Sequence, residues 1–556
     1  MVEAKIRVSS NRQRLLAIAF IVLLIMAVRI YYYSGPIFAN TQDEGIYLTT
    51  FAQHIKFGNS ISFSQYRGVN FSDHLNGLFN PAQSFQFYVG LEYPIMFLMS
   101  VFGYSANLAI WYVMFTSLVE GILVFLIAEK LAGIRAGLIS ASIFAFMPVD
   151  VLFGTHVQPL VPMAMMITAS VYAFILAEES KGRRRYMLYL LAGLFAGFAY
   201  ITNPLSLLLP AFLLLYTIFH LATMRKGFRR KTAEVCLMAV GFVVAYSTIG
   251  IVYLYSAGNF LLYPMITRAE FTYIMLTQAL GTYCAPALLS HQVCAQYAVG
   301  LPTFYLRLLA NQAVPSSQYL TYYGYSFFAF ATAILTYIFA MRSDKKLTRV
   351  WFFTAMFLFY LMAVSFFPMS LKSEGARTVI FMADQQPYYS VLFVLPMVVV
   401  LGLVLDALIR RGESRPVVIA VACAVALVVI GSNVLVLNHD VAVYRDSMYT
   451  MHAFIGFTAA HPSDTFYTEW IFSNNANLLS GYRYKINQLS CGSPLQVNSS
   501  ATAYIATGGT ISMDMDPGIM QGYDTCLQEN LTNSTVAYAV QNPFQPSSPL
   551  RILKIG

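Results

Sequence analysis

Apolar stretches of about twenty residues recur along the whole chain, and that recurrence limits the solvent in which it can fold. A helix rises about 1.5 Å per residue and the hydrocarbon core of a bilayer is about 30 Å thick, so about 20 apolar residues suffice to span it. Runs of this kind lie near 14–33, 107–127, 136–153, 160–178, 187–202, 205–222, 233–256, 322–341, 350–368, 389–408 and 416–437. Hydrocarbon offers the backbone no hydrogen bonds, so each run must satisfy its own by forming a helix. Composition agrees: 58% of residues are hydrophobic and only 11% are charged, against roughly a quarter charged in soluble domains. The expected class is an all-α polytopic membrane protein of about eleven transmembrane helices.

The formal net charge of +9 does not point to nucleic acid, because the basic residues are scattered between apolar runs and no recognition module accompanies them. They form short clusters: Lys130 with Arg135, Lys181 with Arg183 to Arg185, Arg225 to Lys231, Arg342 to Arg349, and Arg410, Arg411 and Arg415. Counting spans from an N-terminus that carries Lys5, Arg7, Arg12 and Arg14 places every cluster on one side. The positive-inside rule makes that side cytoplasmic. The first run is too long for a typical removable signal peptide and lacks its cleavage site, so it reads as an anchor.

An odd number of spans sends residues 438–556 to the opposite side, beyond the membrane domain 1–437. The sequons at Asn498, Asn530 and Asn533 lie in that tail and another, at Asn70, lies in the first outer loop. Cys236 and Cys423 fall inside apolar runs, whereas Cys284 and Cys294 share one outer segment and Cys491 and Cys526 share the tail. Even numbers on that side suit two local disulfides in an oxidising compartment. The cell membrane is the preferred location, with the endoplasmic reticulum as the alternative. The tail itself, with strand-forming residues at 502–507 and turn formers at Asp514, Asp516, Pro517 and Gly518, reads as a small α+β domain.

The first outer loop, about 34–106, is too long for a connector, and such loops usually carry function. Its stretches 51–57 and 88–102 read as short interfacial helices. The loop 257–320 reads as a cap over a cavity. Asn40-Thr41-Gln42-Asp43-Glu44-Gly45 sets two carboxylates a few residues past the first span. Desolvation near hydrocarbon raises a carboxylate's pKa, which suits a general base; a helix-capping role is the alternative.

Several short motifs, in order, resemble the GT-C superfamily of polyprenyl-phosphate-sugar glycosyltransferases, the group of protein O-mannosyltransferases and the lipid A aminoarabinose transferase. These are Asp43-Glu44, Tyr93-Pro94, Phe102-Gly103-Tyr104-Ser105, Ala128 to Gly133, the Pro148 region, Gly193-Leu194-Phe195-Ala196-Gly197 and Gln386-Pro387-Tyr388-Tyr389. The resemblance covers roughly 1–437 and implies inverting transfer of a sugar from a polyprenyl or dolichyl phosphate to a hydroxyl of a protein, lipid or glycan acceptor. It makes Asp43 the base, with Glu44 beside it. The leaving phosphate needs cationic or hydrogen-bonding partners, for which Lys372, Arg377 and His156 are the candidates; for the first two the alternative is snorkelling to headgroups, and for His156 a plain turn residue. Relatives often carry a second acid between the third and fourth spans, where this chain reads Thr155-His156-Val157-Gln158-Pro159. Two hard oxygen ligands would be the minimum for a divalent cation, so no metal or other cofactor is expected. Trp111, Trp351 and Trp470 are isolated, so the Trp-Trp-Asp signature of oligosaccharyltransferases is missing. Two alternatives remain: a lipid-linked sugar transporter or flippase, against which stands the lack of duplicated halves, and a catalytically silent relative.

Overall fold

The computed structural model describes residues 2–33, 35, 89–224, 228–257, 260–261, 282–285, 292–296, 306, 308–309, 322–341, 347, 349–365, 370–374, 377–381, 387–412, 415–480, 483–489, 502–507, 534–541 and 550–555. Each apolar run carries a helix. They are α1 (Val2–Tyr32), α3 (Ala106–Ala132), α4 with α5 (Ile134–Ala145, Pro148–Gly154), α6 (Leu160–Glu179), α7 (Gly182–Thr202), α8 (Leu208–Met224), α9 (Phe228–Ala257), α10 (Ser326–Thr336), α11 (Val350–Ser365), α12 (Val394–Arg411) and α13 (Pro416–Ala460). Seven helices among the described residues are long and apolar enough to cross a bilayer, and α4 with α5, bent by 62°, make an eighth if they form one span. The other three runs carry shorter apolar helices. This chain is an integral, multi-pass membrane protein. α2 (Val89–Phe102) has 14 residues, about 21 Å of helix. It is too short to span alone and lies where the sequence places a short helix, at 88–102; the stretch 51–57 lies outside the described residues.

α12 is the axis of the bundle, with 89% of its apolar window buried, whereas the windows of α9 and α13 are 28% and 22% buried. The peripheral helices show apolar side chains outward, among them Val240, Val243, Leu427 and Leu435. A surface of that kind is stable only in lipid. Close helix contact in lipid relies on small residues, because no hydrophobic gain drives one helix onto another. α7 and α9 illustrate it. A Cβ on Gly193 would stand 1.9 Å from the Met238 carbonyl oxygen and one on Gly241 would stand 2.1 Å from that of Leu190, so backbone meets backbone. This is the physical content of the Gly193 to Gly197 motif.

Basic residues of these clusters that lie among the described residues gather at the end of the bundle where α1 begins. Ion pairs tie them: Arg14 to Glu129 at 3.0 Å, Lys130 to Glu179 at 2.8 Å, Arg135 to Asp406 at 2.6 Å and Arg185 to Glu234 at 2.6 Å. We call this the basic end, and the opposite end, where α1 stops, the first-loop end.

Two sheets stand beyond the spans. β1 (Thr282–Ala285), β2 (Gln292–Gln296), β3 (Ser370–Glu374) and β4 (Arg377–Phe381) form a sheet in the order β1-β2-β4-β3. It joins two loops that sequence reading treated separately, since strands of four or five residues leave little alternation to detect. In the tail, α13 runs unbroken past residue 438 to Ala460. Its last turns, with Met451 and Phe454, pack under a five-stranded sheet that includes Phe466, Tyr504 and Ile552. That sheet is β5 (Thr465–Thr468), β6 (Lys485–Gln488), β7 (Ala503–Thr507), β8 (Ser534–Val540) and β9 (Leu550–Ile555), in the order β6-β5-β7-β9-β8. With α14 (Trp470–Ser480) it makes the expected α+β unit.

The β1/β2 register sets Cys284 directly opposite Cys294. Opposed Cα atoms of antiparallel strands are about 4.5–5.5 Å apart, within the range a disulfide requires. Cys491 and Cys526 lie outside the described residues. Alkylation of the unfolded, unreduced protein is expected to label Cys236 and Cys423, both free, and to leave Cys284 and Cys294 unlabelled until a reductant is added; labelling of the latter pair without reductant would contradict the pairing.

Candidate functional site at the first-loop end

The first loop leaves the membrane from the end of α1, so whatever fixes that end fixes where the loop begins. Arg29 lies one turn before it and has no exposed surface. A guanidinium in an apolar bundle is stable only if its donors are paired, and here they are. Nε donates to Ser117 Oγ of α3 at 3.0 Å, Nη1 to the Ala145 carbonyl at 2.7 Å, and Nη2 to Asp150 Oδ2 of α5. Ala145 is the last residue of α4, where a helix leaves carbonyls without partners. The bend between α4 and α5 therefore both creates an acceptor and delivers the counter-ion. Ser117 Oγ donates onward to Asp150 Oδ2 at 2.8 Å. Phe144 lies under the guanidinium at 5.8 Å. One turn along α3, buried Glu120 accepts from Thr168 of α6 at 3.4 Å.

Three more bonds hold the exit of α1. Tyr33 donates to Asn107 Oδ1 of α3 at 2.7 Å, Tyr32 to Asn438 Oδ1 of α13 at 3.1 Å, and Arg445 of α13 to the Tyr31 carbonyl at 3.0 Å. The helix that carries the C-terminal domain is thus tied to the start of the first loop. Asp43 follows Tyr33 by ten residues; Asp43 and Glu44 lie outside the described residues.

α5 leads into the turn that sequence reading compared with the second acidic position. Thr155 Oγ1 donates to the carbonyls of Val151 and Leu152, 3.0 Å each, and His156 Nδ1 lies 2.5 Å from the Leu152 carbonyl. A carbonyl only accepts, so Nδ1 carries the proton. Val149 N–H donates to the Tyr322 carbonyl at 3.3 Å, and Tyr323 donates to the Ser390 carbonyl at 2.5 Å. Ser390, which follows the Gln386 to Tyr389 motif in sequence, is thereby joined to the same end of the bundle.

Lys372 and Arg377 stand in β3 and β4. Their register pairs Lys372 with Val379 and Glu374 with Arg377, so the two cationic positions are diagonal neighbours. Glu374 is the residue in register with Arg377. The three phosphate candidates are thus divided between a sheet and a buried turn.

Sequence reading passed over Arg29, Glu120 and Asp150, although each is a charged residue inside an apolar run, the signal that marks them. It also gave no role to Glu92. Glu92 is 1% exposed in α2, its Oε1 has no partner, and burial pushes its pKa up to about 8. Among the described residues, no three His, Cys, Asp or Glu side chains gather as a metal site.

Two outcomes are expected. Breaking a buried pair from one side leaves an orphaned charge and costs about 3–5 kcal/mol, while removing both partners costs less than the sum. Arg29→Leu and Asp150→Leu should each destabilise the protein in unfolding assays by that amount, and the double variant by less than the two added; simple additivity would show that the pair is not coupled. The second concerns Glu92. Its folded-state pKa exceeds the ordinary 4.5, so above about 4.5 the unfolded chain has lost a proton that the folded chain retains, and stability falls with rising pH until the folded group also ionises near 8. Melting temperature should drop over that window, and Glu92→Gln should reduce the slope; an identical slope would contradict the burial.

The comparisons with known proteins fall on this architecture. The family model described as dolichyl-phosphate-mannose-protein mannosyltransferase matches residues 89–251, from α2 into α9. ArnT from Cupriavidus metallidurans aligns over 96% of this chain and 97% of its own, at 13% identity, with TM-score 0.56 in the apo state and 0.54 bound to undecaprenyl phosphate. The Archaeoglobus fulgidus oligosaccharyltransferase in complex with zinc and sulfate aligns at TM-score 0.49 and 14% identity, over 84% of this chain and 62% of its own. No curated protein sequence matches.

Proposed function

We propose that this chain, a GT-C superfamily membrane protein by its fold, is an inverting glycosyltransferase that takes a sugar from a polyprenyl or dolichyl phosphate and passes it to a hydroxyl. The observation that carries the reading is the alignment over nearly the whole of both chains with ArnT, supported by the mannosyltransferase family model on α2 to α9. One of the matched ArnT structures is bound to undecaprenyl phosphate, the class of donor lipid the reading requires. The first-loop end is then the extracytoplasmic end, in keeping with the basic turns at the other.

In this reading the acceptor oxygen attacks the anomeric carbon while the bond from that carbon to the lipid-phosphate oxygen breaks, and the acceptor proton passes to the Asp43 carboxylate. The lipid phosphate leaves with the bonding pair, and Lys372 and Arg377 supply positive charge for it. His156, whose Nδ1 is held by the Leu152 carbonyl, joins them through Nε2. Glu44 stands beside the base. The reading requires no metal, because the 155–159 turn supplies no carboxylate as a second hard ligand. The acceptor is a protein, a lipid or a glycan.

Purified protein in lipid, given labelled polyprenyl-phosphate sugars and an acceptor panel, should lose about a hundredfold or more of its transfer rate on Asp43→Asn, the scale of a missing general base. Equal rates in the variant would take Asp43 out of this role.

A further inference from the structure

The sheet β1-β2-β4-β3 sets a cysteine pair in the same row as one of the phosphate candidates. Its register puts Cys284 opposite Cys294, Cys294 opposite Val379, and Val379 opposite Lys372. Residues in register share a face of a sheet, and a residue two positions along its strand returns to that face. Arg377 stands two positions from Val379, and its own row runs from Gln292 through Arg377 to Glu374. One end of the bridge expected between Cys284 and Cys294 is therefore in the strand next to that of Arg377, at a position of the same face.

The two halves of this sheet are fastened unequally. β3 begins at Ser370, soon after α11 ends at Ser365, and β4 ends at Phe381, shortly before the helical segment that starts at Pro387 and leads into α12. Residues 258–281 and 297–325, by contrast, separate β1 and β2 from α9 and α10. A two-stranded hairpin is marginal on its own, and three or more strands are needed to steady it. β3 with β4 is such a hairpin, of five residues a strand. Pairing with β2 turns β4 from an edge strand into an interior one. That pairing is parallel, slightly weaker per residue than an antiparallel one, and it joins segments far apart in sequence at a cost in loop entropy. It is favoured when β1 and β2 arrive already joined, and a disulfide between them removes the states in which they are apart.

We propose that the bridge between Cys284 and Cys294 is a positioning device for the donor: it keeps β1 and β2 together as the flank of β4, and so holds Arg377 and Lys372 where the lipid phosphate binds. This rests on the reading of those two residues as phosphate ligands. The cysteines act through β4 and not on the donor itself. Without the bridge the sheet is ordered for a smaller fraction of the time, and apparent affinity falls by that fraction.

Binding of undecaprenyl phosphate to the full protein in lipid tests it. Cys284→Ser with Cys294→Ser should raise the Kd about tenfold, and amide hydrogen exchange over 377–381 should quicken. Cys284→Val with Cys294→Val keeps an apolar cross-strand pair; it should raise the Kd by less, and it maintains the test if the serine pair fails to fold. In an Arg377→Gln background, loss of the bridge should add less to the Kd than it does in the otherwise unchanged protein. An unchanged Kd in a folded protein lacking the bridge, or full additivity with Arg377→Gln, would overturn the positioning role. If the unaltered protein binds no undecaprenyl phosphate, or Arg377→Gln alone leaves the Kd unchanged, the phosphate-ligand reading itself fails and the proposal with it.

Discussion

A charge pair sealed inside an apolar bundle fixes the end of this protein where chemistry is proposed. Arg29 and Asp150 have no exposed surface, and neither charge is stable in hydrocarbon without the other. Their positions follow from two backbone features: the end of α1 and the bend at Pro148, which turns α5 back toward Arg29 and frees the Ala145 carbonyl to receive it. A bend in a span is tolerated where something re-satisfies the freed backbone groups, and Arg29 does this for α4. Three elements meet at that junction. They are the exit of α1 into the first loop, the turn bearing His156, and α13 on its way to the C-terminal domain. The tail is therefore no loose appendage, since Asn438 and Arg445 bind the residues from which the first loop departs.

The spans were the most legible part of the chain. Hydrophobic length is a one-dimensional signal, and each of the eleven runs carries a helix. The side-by-side arrangement was less legible. Gly193 was noticed as a motif, yet that a Cβ there would strike the Met238 carbonyl oxygen is a fact about α9, forty-five residues away. The mixed sheet of β1 to β4 escaped for a related reason: β2 and β4 pair across more than eighty residues, and neither strand has enough alternation to declare itself. In the tail, the run 502–507 was recognisable because its residues favour strand, and it became β7 at the centre of the sheet.

The candidate site divides along the same line. Asp43 and Glu44 attracted notice as adjacent carboxylates, a local pattern. Arg29, Asp150, Ser117 and Glu120 come from α1, α5 and α3, and no local pattern joins them. What sequence does offer is the anomaly of a charge inside an apolar run, and that anomaly marks all three charged members. Glu92 belongs to the same class. Burial alone raises its pKa, and that burial is completed where α2 packs against α7.

The central claim is that a lipid-phosphate sugar, rather than a soluble one, is the donor. Sugar transfer by the reconstituted protein should be measured with the same sugar offered as a polyprenyl phosphate and as a nucleotide sugar, with the anomeric configuration of the product read by NMR. The account predicts transfer from the lipid-linked form alone, with inversion at the anomeric carbon. Transfer from the nucleotide sugar, or retention of configuration in the product, would contradict it.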